Sequence, residues 1–160
     1  METDNATPRW LTDDEQCAWR TYLAVNRLLT HQLEKDLQPF GLTYNDYEIL
    51  VNLSESEGLR MRMSDLATST LQSKSRLSHQ ITRMERAGLV RRENCESDRR
   101  GLYAVLTDEG LATMQKVAPH HVESVRRHYI DLMTPEALAA LRVTLGPIAE
   151  HLHAQRTKQP

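Results

Sequence analysis

The chain has 160 residues, of which 39% are hydrophobic, and a formal net charge of -2. This length supports one domain, or a small domain with helical extensions, and excludes two large domains. No apolar run approaches the ~18 residues that cross a bilayer, and the start does not resemble a secretion signal, so a cytoplasmic protein is expected.

The N-terminal part of the chain predicts two helices with defined starts. Thr12 and Glu15 have the spacing of a capping box, so a long helix should begin there and run to about Pro39. Thr43 and Asp46 have the same spacing and open a second helix. The apolar stripe of the first helix outreaches the core of so small a domain, which indicates a partner. That stripe contains Trp19, Tyr22, Leu23, Leu29, Leu33 and Leu37.

Two further helices, separated by a turn, are predicted between residues 63 and 88. Ser64 is expected to cap the short first one, and residues 54–62 are interpreted as the link into it. Ser73 is expected to cap the second, and Gly88 is a natural terminator for it.

The second of these helices has two contrasting faces. Leu77, Ile81 and Met84 recur at i, i+4 and i+7 and predict one buried stripe. The opposite face is charged. Taken alone, such a face is as consistent with a helix surface exposed to water as with one that binds in a groove of DNA. The residues of that face include no acid and are Ser75, Arg76, His79, Thr82, Arg83 and Arg86.

The segment after this helix favours the DNA interpretation. Residues 89–95 and 102–107 predict two strands around a polar turn that offers Arg99 and Arg100. Helix, turn, helix and hairpin form the winged helix-turn-helix plan, so the expected fold is mainly α with a small β-hairpin wing. Residues 73–101 contain eight basic and four acidic residues, although the whole chain is slightly acidic. DNA binding should therefore depend on salt.

Two helices are expected after the hairpin. Thr107 should cap the first, and Pro119 should bend or break it. Residues 134–136 (TPE) start the second, in which Pro147 is expected to cause a kink. Together with the first helix of the chain they predict a helical dimerisation layer, and the alternative is a monomer that folds these helices back on itself. The leucine-rich stripe of the last helix is Leu138, Leu141, Leu145, Ile148 and Leu152.

Four motifs follow one another along the chain. They are residues 41–44 (GLTY), residues 84–90 (MERAGLV), residues 98–101 (DRRG) and residues 103–110 (YAVLTDEG). In this order they resemble the MarR (multiple antibiotic resistance regulator) family of transcription factors, and the resemblance extends over nearly the whole chain.

The resemblance implies a homodimeric regulator, a repressor relieved by a ligand, that binds a pseudo-palindromic operator in double-stranded DNA. Residues 43–107 are then the winged helix-turn-helix region, and residues 12–40 and 108–156 form the helical dimerisation region. By the family's pattern, Arg100 is the minor-groove finger of the wing and Asp98 stabilises the wing from within. The expected DNA contacts are Ser73, Ser75, Arg76, His79, Gln80, Arg83, Arg99 and Arg100.

The family commonly binds small aromatic or phenolic effectors between the dimerisation helices and the DNA-binding regions. The alternative is that the aromatic residues there belong to the core and the interface. The candidate lining residues are Trp19, Tyr22, His31, Tyr44 and Tyr47.

A thiol-based redox switch is the alternative form of regulation. Cys17 lies near the start of the first helix, where peroxide-sensing members of the family carry a reactive cysteine. Counting back from residues 42–44, however, places the family's sensing position at Trp19. Cys95 lies beside acidic residues, which raise the pKa of a thiol. Two cysteines in different elements are too few for a disulfide framework.

Neither a metal site nor catalysis is expected. His120, His121, Glu123 and His128 form a polar cluster, but His121 and His128 are two helical turns apart, too far to bind one ion together. The chain has no nucleophile elbow, phosphate-binding glycine loop, HExxH or paired cysteine motif. A winged helix used for protein contacts alone remains a third possibility.

Overall fold

The computed structural model describes residues 8–95 and 98–157, and the side chains of residues 98–100 and 157 lie outside this description. The helices of the described part are α1 (Asp13–Leu37), α2 (Tyr44–Ser54), α3 (Met63–Ser69), α4 (Lys74–Arg86), α5 (Asp108–His128) and α6 (Pro135–Thr157). The strands are β1 (Arg60–Arg62), β2 (Val90–Cys95) and β3 (Asp98–Leu106). The fold is therefore mainly α with a small sheet, as predicted. No described helix is both long and apolar enough to span a membrane.

Side-chain caps determine where most of these helices begin. Thr12 and Thr43 are the N-caps of α1 and α2, each in a complete capping box. Ser73 caps α4 and Thr107 caps α5, each by accepting a hydrogen bond from a backbone N–H of the first turn. These four predicted helix starts are confirmed.

The expected cap at Ser64 needs correction, and of the two expected effects of Pro119, a bend or a break in the helix, the structure excludes the break. Ser64 does not cap α3, because the chain enters this helix directly from β1 and Arg62 takes the N-cap position without a side-chain cap. The hydroxyl of Ser64 donates instead to Asp65. Pro119 does not break α5, which is one helix from Asp108 to His128. Packing of α5 against α1 and α2 offsets the backbone hydrogen bond that proline removes.

A third strand completes the wing sheet, in a segment predicted to be a link. The strand order is β1-β3-β2, and both pairings are antiparallel. Met61 and Arg92 lie opposite Ala104 from the two sides of β3. A strand of three residues is too short to show a period of two in the sequence, so only its pairing with β3 identifies it.

The core lies between α2, α3, α4, α5 and the inner face of the sheet. Leu77, Ile81 and Met84, the predicted stripe of α4, are at most 1% exposed. Their burial turns the opposite face of α4 toward solvent. The residues packed with them include Ile49, Leu50, Leu53, Leu66, Ala104, Leu106 and Val117.

Most of α1 and most of α6 are exposed in the single chain. Only Leu33 and Leu37 of α1 are buried, and no residue between 135 and 156 is buried. One contact of α6 with the rest of the chain is a hydrogen bond of 3.1 Å from Arg156 Nη1 to the Thr68 carbonyl. The large apolar side chains exposed along α1 and α6 are Trp19, Tyr22, Val25, Leu28, Val143, Ile148 and Leu152, and Trp10, Leu11 and Leu132 are exposed in the segments just before these helices.

Candidate nucleic-acid interface

The outward face of α4 is a surface of hydrogen-bond donors. Ser75, Arg76, His79 and Arg83 are exposed on it, and Gln80 is partly buried at its edge. The acidic residue of this helix, Glu85, is bound to the sheet and does not reduce the positive charge of the outward face. Such a face presents cationic and neutral donors with no acidic side chain from α4 itself among them, which is what recognition of phosphates and base edges needs.

Arg92 of β2 attaches the sheet to α4. Its guanidinium forms an ion pair with Glu85 and donates hydrogen bonds to Ser78 O at 2.7 Å and Thr82 Oγ1 at 3.1 Å. Its backbone N–H donates to Glu85 Oε1 at 2.8 Å. The side chains of Arg92 and Glu85 are only 21% and 29% exposed, so water competes little for these bonds. The sequence alone does not predict that Arg92 attaches the sheet to α4. In the sequence, Arg92 is only one of the eight basic residues between positions 73 and 101.

Asp46 of α2 contacts two of the predicted DNA-binding residues from behind. Its carboxylate is 2% exposed, and Oδ1 accepts hydrogen bonds from Gln80 Nε2 at 2.9 Å and from Arg83 Nη2 at 2.6 Å. The Arg83 side chain is 53% exposed, so the guanidinium is bound on one side and reaches solvent on the other. The sequence identifies Asp46 as a capping residue, and only the fold reveals its second role.

At the end of the wing, residues 98–100 are described by their backbone alone, and residues 96–97 lie outside the described residues. Residues 98–106 form β3, which pairs with β2 up to a bulge between Asn94 and Cys95. The side chains of Asp98, Arg99 and Arg100 lie outside the described residues, so their roles stay predictions.

The outer face of the sheet carries two arginines beside an aromatic ring, an arrangement that the sequence did not predict. The guanidinium carbons of Arg60 and Arg62 lie 5.0 Å and 5.7 Å from the ring centroid of Tyr103. They border a cavity of about 680 Å³. Because Glu57, Asp65 and Glu93 line the same cavity, its charge is balanced, and it lacks the one-signed character of the α4 face.

Two of the five predicted effector residues line one pocket. His31 of α1 and Tyr44 of α2 border a cavity of about 500 Å³ that also reaches α4 through Arg76. Trp19 and Tyr22 stack on each other on the exposed part of α1, with ring centroids 5.9 Å apart. Tyr47 is buried against His121. The remaining lining residues of the pocket are Asn26, Arg27, Thr30, Glu34 and Asn45.

The start of α2 forms one wall of this pocket. Glu34 Oε2 accepts a hydrogen bond of 2.5 Å from the backbone N–H of Tyr44, which joins α1 to the first turn of α2. Burial raises the pKa of the Tyr44 phenol, and the negative charge of Glu48 raises it further. The phenol is therefore protonated at neutral pH and can donate a hydrogen bond.

The histidines of α5 have three different partners. His120 packs against Phe40 with ring centroids 5.0 Å apart, and His121 packs against Tyr47 at 4.4 Å. His128 Nε2 lies 3.5 Å from Asp36 Oδ2. Among residues 8–95 and 98–157, no group of three or more histidine, cysteine, aspartate and glutamate side chains is placed to hold a metal ion.

Comparison with known proteins identifies the family of the chain. A family model described as "MarR family" matches residues 40–101. The HTH-type transcriptional regulator PecS of Dickeya dadantii (strain 3937) is 31% identical over 136 residues, which cover 82% of this chain and 80% of PecS. The chain belongs to the MarR family.

Solved structures of other MarR family members share its architecture. AbsC from Streptomyces coelicolor is 81% identical to this MarR family chain, with a TM-score of 0.88 over 92% of this chain and 99% of AbsC. Sco3205 from the same organism, whose crystal structure is a complex with DNA, is 44% identical, with a TM-score of 0.87 over 91% of this chain and 92% of Sco3205. This MarR family protein is therefore a DNA-binding transcriptional regulator and not an enzyme.

We predict that Arg92→Ala lowers the free energy of unfolding by about 1–3 kcal/mol, because it leaves the partly buried Glu85 without its ion-pair partner. Urea denaturation followed by circular dichroism measures the change. Arg91→Ala, on the same strand, removes an exposed ion pair with Glu93 and should change stability by less than about 1 kcal/mol. Equal losses in the two variants would contradict the role assigned to Arg92.

Proposed function

We propose that this MarR family regulator acts in the cytoplasm as a homodimeric repressor that binds a pseudo-palindromic operator. The observation that carries the proposal is the outward face of α4, where exposed donors lie opposite a stripe that is at most 1% exposed. A helix buried on one side and cationic on the other is suited to the major groove. The DNA complex of Sco3205, a 44% identical relative, supports the same use of this fold.

The residues of the interface divide by chemistry. We assign base-edge contacts to Arg76, His79, Gln80 and Arg83, because their side chains are long enough to bring hydrogen-bonding groups to the groove floor. Contacts with the DNA backbone are assigned to the short hydroxyl side chains of Ser73 and Ser75. At the wing, Arg99 is assigned to the backbone or the minor groove and Arg100 to the minor groove, and Asp98 is assigned to stabilising the wing.

The wing assignment predicts that Arg100→Ala weakens operator binding across all sequences and lowers the slope of log Kd against log salt by about one, since one cation is lost from the DNA interface. Fluorescence anisotropy at several salt concentrations, with DNA from upstream of the protein's own gene, measures both quantities. Lys116→Ala makes the same charge change at an exposed position on α5 and should leave the slope unchanged. A slope that is the same in both variants counts against a wing contact.

The exposed apolar surfaces of α1 and α6 support the proposed dimer. A helix of 23 residues with no buried residue between 135 and 156 gains little from its own chain, and isolated helices are marginal in water. Leu28 is 70% exposed and Ile148 is 52% exposed, although both are strongly apolar. A second copy of the chain would cover these surfaces and hold the two α4 helices ~34 Å apart, in successive major grooves.

We expect Ile148→Lys to shift the protein from dimer to monomer in sedimentation velocity, because the substitution places a charge in the interface without disturbing the core. Operator affinity should fall with it, since each half-site is then bound separately. Glu55→Gln, at an exposed position just after α2 and outside the dimerisation region, makes the same change in net charge as a control. The proposal fails if the natural chain is a monomer at the concentrations at which it binds DNA.

The pocket between α1, α2 and α4 is the proposed effector site. Arg27, His31 and Arg76 line it, and Tyr44 adds a phenol that can donate, so a small aromatic acid or phenol fits its chemistry. Arg76 belongs both to this pocket and to the outward face of α4. A ligand that binds Arg76 competes with DNA for the same guanidinium, which would release the repressor.

For the effector we predict that saturating 4-hydroxybenzoate, as a probe of this class, weakens operator binding several-fold. His31→Ala should reduce this response while leaving DNA affinity without the probe unchanged, because His31 is on α1 and is not among the proposed DNA contacts. His120→Ala, outside the pocket, is the matched control. Anisotropy titrations with and without the probe measure the response, and an undiminished response in His31→Ala would exclude this site.

Thiol sensing through Cys17 is the alternative regulation. The Cys17 thiol is exposed on α1, and Cys95 is buried and accepts a hydrogen bond from Arg62 Nη2 at 3.3 Å. Cys17 is not among the residues that line the pocket beside α4, so its oxidation has no direct route to Arg76. We therefore favour the effector.

A further inference from the structure

Asp46 occupies an unusual position for a charged residue, since it is buried directly behind the DNA-facing surface. We infer that Asp46 is a positioning residue that determines which bases α4 reads, although at 1% exposure it cannot itself reach DNA. This inference rests on the proposed contacts of α4 with the major groove. In this inference, the Asp46 carboxylate of α2 orients the Gln80 and Arg83 side chains of α4.

The carboxylate of Asp46 accepts four hydrogen bonds from two parts of the chain. Oδ2 accepts from the backbone N–H and the hydroxyl of Thr43, at 2.9 Å and 2.8 Å. Oδ1 accepts from Gln80 Nε2 at 2.9 Å and from Arg83 Nη2 at 2.6 Å. One oxygen therefore serves the helix cap and the other serves the recognition helix. A buried carboxylate bonded on both oxygens is held firmly and has little freedom to reorient.

The bond to Gln80 settles which end of its amide faces DNA. An ionised carboxylate only accepts hydrogen bonds, so the NH₂ group of Gln80 must be the end that contacts Asp46. The carbonyl oxygen Oε1 is then the end left for the DNA. An acceptor in the major groove selects bases that present an amino group there, namely adenine through N6 or cytosine through N4.

The bond to Arg83 orients a guanidinium that is otherwise half exposed. Binding through Nη2 limits the rotation of the planar group and directs its remaining donors outward, which favours the paired acceptors O6 and N7 of guanine. The pairing also neutralises the charge of Arg83. A neutralised arginine contributes little to non-specific attraction by phosphates, so the pair favours selectivity over general affinity.

The test is Asp46→Asn, in which one oxygen becomes a donor and the charge is lost. We expect operator affinity to fall about tenfold or more, and the preference at the base pairs read by Gln80 and Arg83 to flatten. Affinity for unrelated DNA should stay the same or rise, and its salt slope should steepen by about one, because Arg83 is free to bind phosphate. Binding to a set of single base-pair substitutions of the operator measures the preference.

A second variant separates this role from helix capping. Asp46→Glu retains the charge and the standard capping-box residue at this position, so α2 should still fold. Its longer side chain moves the carboxylate relative to Gln80 and Arg83. We expect thermal stability near that of the natural protein, an unchanged salt slope and an altered base preference.

Two controls isolate the charge and the cap. Glu109→Gln makes the same charge change at an exposed position in the first turn of α5 and should leave base preference unchanged. Thr43→Val removes the capping hydroxyl while leaving both bonds to α4, so stability should fall without a change in preference. In an Arg83→Met background, Asp46→Asn should cause no further loss at the base pair read by Arg83.

Base preference that stays intact in both Asp46 variants would overturn the inference. So would an equal loss of specific and unrelated DNA binding in Asp46→Asn, because that pattern indicates a purely structural role. If Arg83→Met and Gln80→Ala also leave operator preference unchanged, the failure belongs to the proposed contacts of α4. If these variants change the preference and the Asp46 variants do not, only the positioning role is wrong.

Discussion

The burial of one narrow stripe on α4 is the constraint on which the rest of the molecule depends. Leu77, Ile81 and Met84 have almost no contact with solvent, so the rotation of the helix about its axis is set by the core. Removing any one of them would leave a cavity and cost about 1–5 kcal/mol. Because helical side chains repeat every 3.6 residues, this burial alone determines which residues face outward.

Two polar attachments then hold α4 against elements on either side. The ion pair of Arg92 with Glu85 joins it to the wing sheet, and the bonds of Asp46 with Gln80 and Arg83 join it to α2. Apolar packing is tolerant of small rotations, whereas charged hydrogen bonds require particular distances and angles. The combination gives a recognition surface with a defined orientation, which sequence-selective binding requires.

The same attachments provide a physical connection between the pocket and the DNA-binding face. Glu34 of α1 bonds the first turn of α2, and that turn contains Asp46, which bonds α4. The pocket is bordered by both helices and by Arg76. Its occupant would therefore contact the elements that orient α4. A ligand regulates DNA binding only if it binds the DNA-binding and non-binding states of the protein with different affinity. Such a difference can arise at this pocket, because its walls belong to the helices that orient α4.

Local features of the sequence were sufficient to predict most of the elements. The capping residues Thr12, Thr43, Ser73 and Thr107 are correct, because an N-cap depends only on residues within one turn. The buried stripe of α4 is correct because periodicity is also local. The three-residue strand β1, the missing cap at Ser64 and the continuity of α5 through Pro119 are not predictable in this way, because each depends on an element distant in the chain.

The features of the candidate site are likewise of two kinds: those that depend on local sequence and those that depend on contacts between elements. The sequence by itself determined that α4 would present donors on one face, and that its neighbourhood would be basic in a slightly acidic chain. Only the tertiary structure decided that Asp46 lies behind Gln80 and Arg83, that Arg92 pairs with Glu85, and that His31 and Tyr44 share a pocket while Trp19 and Tyr22 do not. The physical reason is whether the interacting residues belong to one local segment or to different elements. Helix starts and amphipathic faces arise from residues a few positions apart within one element, whereas these bonds and the pocket exist only when packing brings different elements together. Asp46 is more than 30 positions from Gln80 and Arg83 in the chain, and Arg92 reaches Glu85 only because β2 lies against α4.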